Sequence, residues 1–362
     1  MHEGARIVEG SLSWLRLLDV SDTIELSRAA ERLGADTRRV RLRRQVSQTL
    51  TTEALPLEID LGKREAPLGL GCSELRVRVR VFAFGVVSVV MERALADVAL
   101  AELAAPIAAG SELDALDALA REVTSDVMRR IGDAAVRPDV SPVIESYALI
   151  LARRVQGDLL ADRDALARAL LAEPAEGALD PALRERALAH AHRWFEDDLV
   201  VLHYEAALVQ EPTDSGDLAT VLELAACQLL QLRACDARID RELDRVQAAL
   251  ARAERRGWWI AEVSPFRGAR ESMARLVELA QLAEAADNAT KFAADLYLAE
   301  LYEDALDTFR IDDWRESVQR KLGLSTRVYE LLKSEVDVRR TSVLEGIVIL
   351  LILIEVVHAF WP

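Results

Sequence analysis

The residues best suited to metal or acid–base chemistry sit mid-chain. His190 and His192 stand two apart, and Glu196, Asp197 and Asp198 follow them. Imidazole and carboxylate together suit divalent transition ions. The segment 181–196 reads as a helix, however, and residues two apart on a helix project about 200° from each other. On that reading the pair does not share an ion, and a charged helix end is expected. The remaining histidines are His2, His203 and His358. Asp236, Asp240 and Asp244 recur at i, i+4 and i+8 among Arg233, Arg238, Arg241 and Arg245. Stacked carboxylates can hold a cation, but interleaved arginines satisfy them through i,i+3 and i,i+4 pairs, so a salt-bridged face is expected. Cys72, Cys227 and Cys235 form neither a CxxC motif nor a disulfide framework. Cys227 and Cys235, two helical turns apart, read as small core residues. Gly69-Leu70-Gly71 lacks the third glycine and the following helix of a dinucleotide loop. HExxH, P-loop, GxSxG and kinase patterns are absent. No catalytic residue, metal, cofactor or small-molecule substrate is therefore expected, and the chain is not read as an enzyme.

One basic pattern remains. Arg76, Arg78 and Arg80 alternate with Val77, Val79 and Val81, which predicts a strand with one arginine face. With Arg38, Arg39, Arg41, Arg43 and Arg44 this face offers contacts for an anion or RNA; a solvated sheet face is the simpler reading. A net charge of −16 argues against duplex nucleic acid as the main partner.

These residues need elements to hold them. The 362 residues are enough for two domains or one elongated one. Strands are predicted at 12–20, 56–61, 75–84 and 86–91, with Gly85 breaking the last two into a hairpin or a bent strand. Residues 62–71 read as a loop, and 38–50 as strand or helix. Further strands are expected at 143–155 and 198–210. Helices are predicted at 23–33 with Asp22 as N-cap, and at 92–109, 112–131, 162–172 and 181–196. Beyond a loop at 211–217 the sequence is rich in Ala, Leu, Arg and Glu, which favours long helices. They are predicted at 218–255, from about 268 to 309, and onward from 312–314. The expected fold is α+β: a mixed α/β head over 1–211, long antiparallel helices in a hairpin or bundle over 218–342, and a C-terminal apolar helix over 343–362.

That apolar segment speaks to location. Gly346, Ile347, Val348, Ile349, Leu350, Leu351, Ile352, Leu353, Ile354, Val356, Val357, Phe360 and Trp361 make an almost unbroken apolar run, interrupted by Glu355 and His358. As a helix it would be roughly 24 Å long, against a bilayer core of about 30 Å. It is apolar on every side, so a protein core would have to cover it all round. It is read as a single-pass or tail anchor. Arg339 and Arg340 before it place the main body in the cytoplasm by the positive-inside rule. Met1-His-Glu-Gly-Ala-Arg lacks the basic and apolar regions of a signal peptide. Glu355 within the run hints at helix–helix contact between anchors.

Several segments together resemble the required-for-meiotic-nuclear-division family, a domain of unknown function found in bacteria and mitochondria. The resemblance is carried by residues 222–246, by Trp314, Val318, Arg320-Lys321-Leu322 and Val328-Tyr329, by Leu344-Glu345 with the aliphatic run to Val357, and by Val81-Phe-Ala-Phe-Gly-Val-Val-Ser-Val-Val90. The chain departs from that pattern at Gly346, where the family carries Trp. The resemblance implies an α/β N-terminal part, a helical C-terminal part, a membrane-attached tail and self-association. Eukaryotic members support translation at the mitochondrial inner membrane. It supplies no catalytic residues. The expectation is a membrane-anchored, homo-oligomeric, non-enzymatic scaffold or interaction protein; the alternative is a membrane-associated RNA- or ribosome-interacting factor.

Overall fold

The computed structural model describes residues 4–35, 37–40, 55–66, 73–174, 177–213, 216–255, 296–324, 326–327, 330 and 351–352. The chain is mixed α/β and divides into two compact units. One takes in Met1–Ala234 with Leu282–Trp314, the other Cys235–Gln281 with Arg315–Pro362.

The first unit is built on a nine-stranded sheet. In chain order its strands are β1 (Arg6–Asp19), β3 (Thr37–Arg39), β4 (Leu57–Ala66), β5 (Ser73–Val81), β6 (Val86–Ala99), β8 (Ile144–Gln156), β9 (His190–His192), β10 (Leu199–Leu202) and β11 (Ala206–Gln210). Across the sheet they run β3-β4-β5-β6-β1-β8-β11-β10-β9. All neighbours are antiparallel except β8 and β11, which are parallel. β2 (Ser21–Ile24) and β7 (Ala135–Pro138) form a separate small ladder.

Strand alternation gives the sheet two faces to cover. Leu12 and Trp14 of β1, Val77, Val79 and Val81 of β5, and Val87, Val89 and Met91 of β6 share a continuous core with α1 (Leu26–Leu33), α2 (Ala104–Ala108), α3 (Gly110–Ile131), α4 (Arg163–Leu170) and α5 (Pro181–Ala187). Leu15, Leu17, Val86, Val90, Tyr147 and Leu149 are buried outside that cluster. Their face meets α6 (Asp217–Arg255), up to Ala234, and α7 (Leu296–Thr308). Gln231 Nε2 of α6 donates to the Phe84 carbonyl at 2.9 Å. Tyr302 of α7 donates to Gln228 Oε1 at 2.7 Å. Phe309 meets Tyr147 edge-on at 5.1 Å between ring centroids.

The strand pattern at 75–90 gives the hairpin. Gly85 lies at φ +83°, and the Phe82 amide donates to the Val86 carbonyl at 2.9 Å. A Cβ at Gly85 would sit 1.8 Å from the Ser21 carbonyl oxygen, so the turn and the β1–β2 crossover need glycine there. Gly10 is required differently: a Cβ would meet the Leu151 carbonyl oxygen at 2.1 Å, beside an irregularity in the β1–β8 ladder.

Several expectations are corrected. Residues 92–99 are strand, not helix: β6 pairs with β1 over its whole length, from Asp19–Val86 to Arg6–Ala99. The Ala-rich local preference for helix yields to that pairing. Residues 62–66 continue β4 rather than forming a loop. α1 starts at Leu26 with Glu25 as its N-cap, while Asp22 lies in β2 and pairs with Arg137. The helix expected over 181–196 stops at Ala187, and His190–His192 form the edge strand β9. Helices at 112–131, 162–172 and 218–255 have counterparts in α3, α4 and α6.

The second unit contains the remainder of α6 and part of a helical segment over 311–324. Lys321 Nζ bonds Asp236 at 2.8 Å and Asp240 at 2.7 Å. These two acids are therefore held by a lysine from a distant segment, not by their arginine neighbours on the same helix. Ile239 and Val318 are buried.

Candidate functional site

The arginine face of β5 is graded. Arg76 is half-exposed and bonds Asp60 through Nε at 3.1 Å. Arg78 is mostly covered and pairs with Glu92 of β6. Arg80 lies beneath α6 and pairs with Glu223 from that helix. Its Nε also bonds Glu58 Oε2 at 2.8 Å. Glu58 is directly opposite Arg80 in the β4–β5 ladder, and its other oxygen accepts from Arg38 Nε at 2.9 Å. The solvated face expected from the sequence is thus solvated only at its Arg76 end.

Glu58 and Glu223 are each 1% exposed. Burial would by itself raise the Glu58 carboxyl, but Arg80, Arg38 and Arg78 outweigh it and hold the group below the usual range. Burial would likewise weaken the Arg80 cation, and Glu223 and Glu58 more than compensate. A cation between two buried carboxylates ties sheet to helix. Its chemistry is that of a clamp, since the charge is already matched inside the protein.

Neighbouring groups follow the same logic. Arg233 of α6 pairs with Glu145 of β8, where burial dominates and raises the carboxyl despite the cation. Burial, with Glu223 nearby, pushes the Cys227 thiol well up, against the pull of Arg80. Cys227 and Cys235 are both buried, as their reading as core residues required. Arg16 of β1 is also buried and bonds Asp117 of α3 at 2.6 Å.

A second constellation arises where β9 meets α7. His190 and His192, two apart on a strand, share one side of it. Asp304 of α7 joins them, and one ligand atom from each residue lies within 4.8 Å of the others. His192 Nε2 is 2.9 Å from Asp304 Oδ2. All three residues are half-buried. The helical reading separated the histidines, and nothing in the local sequence ties Asp304 to them. Glu196, Asp197 and Asp198 are not part of this group. Asp198 instead accepts from the Trp194 and Phe195 amides at 2.7 and 2.9 Å, fixing the turn after β9.

Of the residues read from the sequence as an anchor, Leu351 and Ile352 are described. They are helical and 59% and 54% exposed. Gly346, Ile347, Val348, Ile349, Leu350, Leu353, Ile354, Val356, Val357, Phe360 and Trp361, and the topology residues Arg339 and Arg340, lie outside the described residues, as do Cys72, Arg41, Arg43 and Arg44. Among the described residues one helix, Asp217–Arg245, is long and apolar enough to cross a membrane. Its most apolar stretch is 83% buried inside the protein, as a core helix would be.

A mixed sheet with a helical layer on each face and an internally neutralised arginine ladder defines the protein. The family described as "Uncharacterized protein MJ0711, N-terminal domain" matches residues 9–216, from β1 through β11 to the threshold of α6, and the chain belongs to that family. It is 21% identical over 164 residues to the Uncharacterized protein MJ0711 of Methanocaldococcus jannaschii, an alignment covering 45% of this chain and 49% of that protein. The chain thus spans about half the length of this relative. No solved structure matches it.

Proposed function

We propose that the protein is a membrane-anchored, non-enzymatic scaffold whose α/β head is presented on the cytoplasmic side by long antiparallel helices. One observation carries the reading: apolar side chains of a helical segment, Leu351 and Ile352, stand uncovered within the apolar run 346–361. A bilayer, or neighbouring anchors in a homo-oligomer, would cover them. The domains then follow the sequence boundaries, with a head over 1–211, a stalk over 218–342 and an anchor over 343–362. The Lys321 bonds to Asp236 and Asp240 support a helical pairing in the stalk. The resemblance to the required-for-meiotic-nuclear-division family belongs to this proposal, with its membrane-attached tail and self-association.

Fractionation tests it. The full-length chain should pellet with membranes, resist salt and alkaline extraction, and need detergent for release. Deleting 344–362 should move it to the soluble fraction and lower its oligomeric state. A full-length chain that stays soluble without detergent, and is unchanged by the deletion, overturns the reading. The RNA- or ribosome-binding alternative has less support. Arg38, Arg76, Arg78 and Arg80 are all engaged by carboxylates, which phosphate would have to displace.

A further inference from the structure

The geometry points to a divalent transition-metal site formed by His190, His192 and Asp304. We infer that it takes a zinc-class ion and ties the edge strand β9 to helix α7. Two imidazoles and a carboxylate are a donor set that suits zinc, cobalt(II), nickel(II) or iron(II) better than magnesium or calcium, which prefer oxygen alone.

Spacing supports the set. Zinc bonds to nitrogen and oxygen are about 2.0–2.1 Å long, so two donors on one tetrahedral ion lie roughly 3.3 Å apart, within a few tenths of an ångström of a close donor pair. His192 Nε2 and Asp304 Oδ2 are 2.9 Å apart. A simple His–Asp ion pair would account for these two atoms alone. It leaves unexplained why His190 brings a third donor to within 4.8 Å of both. Closing that distance to the roughly 3.3 Å edge of a tetrahedral zinc site is a shift of about 1.5 Å at most, on the scale of side-chain rotation.

The frame is held independently of any ion. Trp194, two residues past His192, packs on Tyr297 of α7 at 4.9 Å between ring centroids. Asp198 secures the intervening turn through the Trp194 and Phe195 amides. Strand and helix are therefore packed against each other beside the donors, as a metal site requires. Three protein donors leave at least one position to water or an incoming ligand.

The full-length protein, purified in detergent and stripped with a chelator, is titrated with Co²⁺ alone and then Zn²⁺ alone. One equivalent of Co²⁺ should bind with the visible absorption of a nitrogen- and oxygen-ligated site, and Zn²⁺ should displace it. Zn²⁺ should also raise the melting temperature. His190→Gln, His192→Gln and Asp304→Asn should each weaken binding at least tenfold and abolish the zinc-dependent rise. Circular dichroism and the metal-free melting temperature confirm that each variant is folded; if one is not, the remaining two decide. His203→Gln, outside the set, should bind as the wild type does. Wild-type protein that binds neither ion, or folded variants that bind as tightly as it does, overturns the assignment.

Discussion

Arg80 on β5 and Glu223 on α6, 143 residues apart in the chain, form a buried ion pair that joins the sheet to that helix. Arg80 also serves Glu58, so its loss leaves buried Glu223 without its cation and Glu58 with Arg38 and Arg78 alone. Arg80→Met should therefore destabilise the first unit by about 3–5 kcal/mol. Glu223→Gln leaves Arg80 its bond to Glu58 and should cost about 1–3 kcal/mol. Urea unfolding followed by circular dichroism gives both values. A smaller loss for Arg80→Met than for Glu223→Gln would show that the pair does not carry the interface.

The same cluster sets a pH dependence. Glu58 is held below its ordinary value of 4.5. A carboxyl lowered by folding contributes stability that is present above its unfolded pKa and is lost as pH falls through its folded one. Glu145 runs the other way: raised by burial, it favours the folded state when protonated, and that contribution is lost as pH rises through its folded pKa. Urea midpoints should fall as the pH drops below about 4.5, the usual value for Glu58. Glu58→Gln should flatten that fall, and Glu145→Gln should remove a gain in stability seen as the pH is lowered toward about 4.5 from above. Parallel curves for all three proteins would contradict the assignment of charge states.

How much of this was legible in sequence depends on distance. Val77, Val79 and Val81 opposite Arg76, Arg78 and Arg80 announce a strand, because the period of two is local. The hairpin at Gly85 is equally local. Residues 92–99 hide their strand because Ala, Leu and Glu prefer helix, and only pairing with β1 overrides them. β9 is three residues long, too short to show any period. Misreading it as helix put His190 and His192 on opposite sides and concealed their meeting with Asp304. The carboxylates that claim the arginines were invisible for the same reason: Glu58 and Glu223 are brought to Arg80 by a ladder and a helix packing.

Gly85 makes a sharp backbone prediction. Its φ of +83° is costly for any other residue, and a Cβ would meet the Ser21 carbonyl oxygen. Neither backbone can yield without disturbing the Gly85 carbonyl, which accepts from the Val20 amide at 2.9 Å. Gly85→Ala should cost at least ~2 kcal/mol. Gly34→Ala is the control: its φ is also positive, but nothing lies within 4 Å of the added carbon, so only the conformational cost of about 1–3 kcal/mol remains, and the loss should stay below that at Gly85. Equal losses at the two positions would mean that the Ser21 contact is readily relieved.

Cys227 should be chemically silent while the protein is folded. It is buried on α6 beside Glu223, and burial together with that carboxylate raises its thiol, so little reactive thiolate forms. Cys235 is buried on the same helix. In a Cys72→Ser background, which leaves these two thiols alone, a disulfide reagent should label the native protein about a hundredfold more slowly than the urea-unfolded chain. Raising the pH by one unit below the ordinary thiol range should speed the native and unfolded reactions alike, because the native protein reacts through a locally opened state whose thiol is exposed. Rapid labelling of the native protein at Cys227, located by peptide mapping, would mean that this part of α6 leaves the sheet readily, and the Arg80–Glu223 clamp would then be too weak for the role assigned to it.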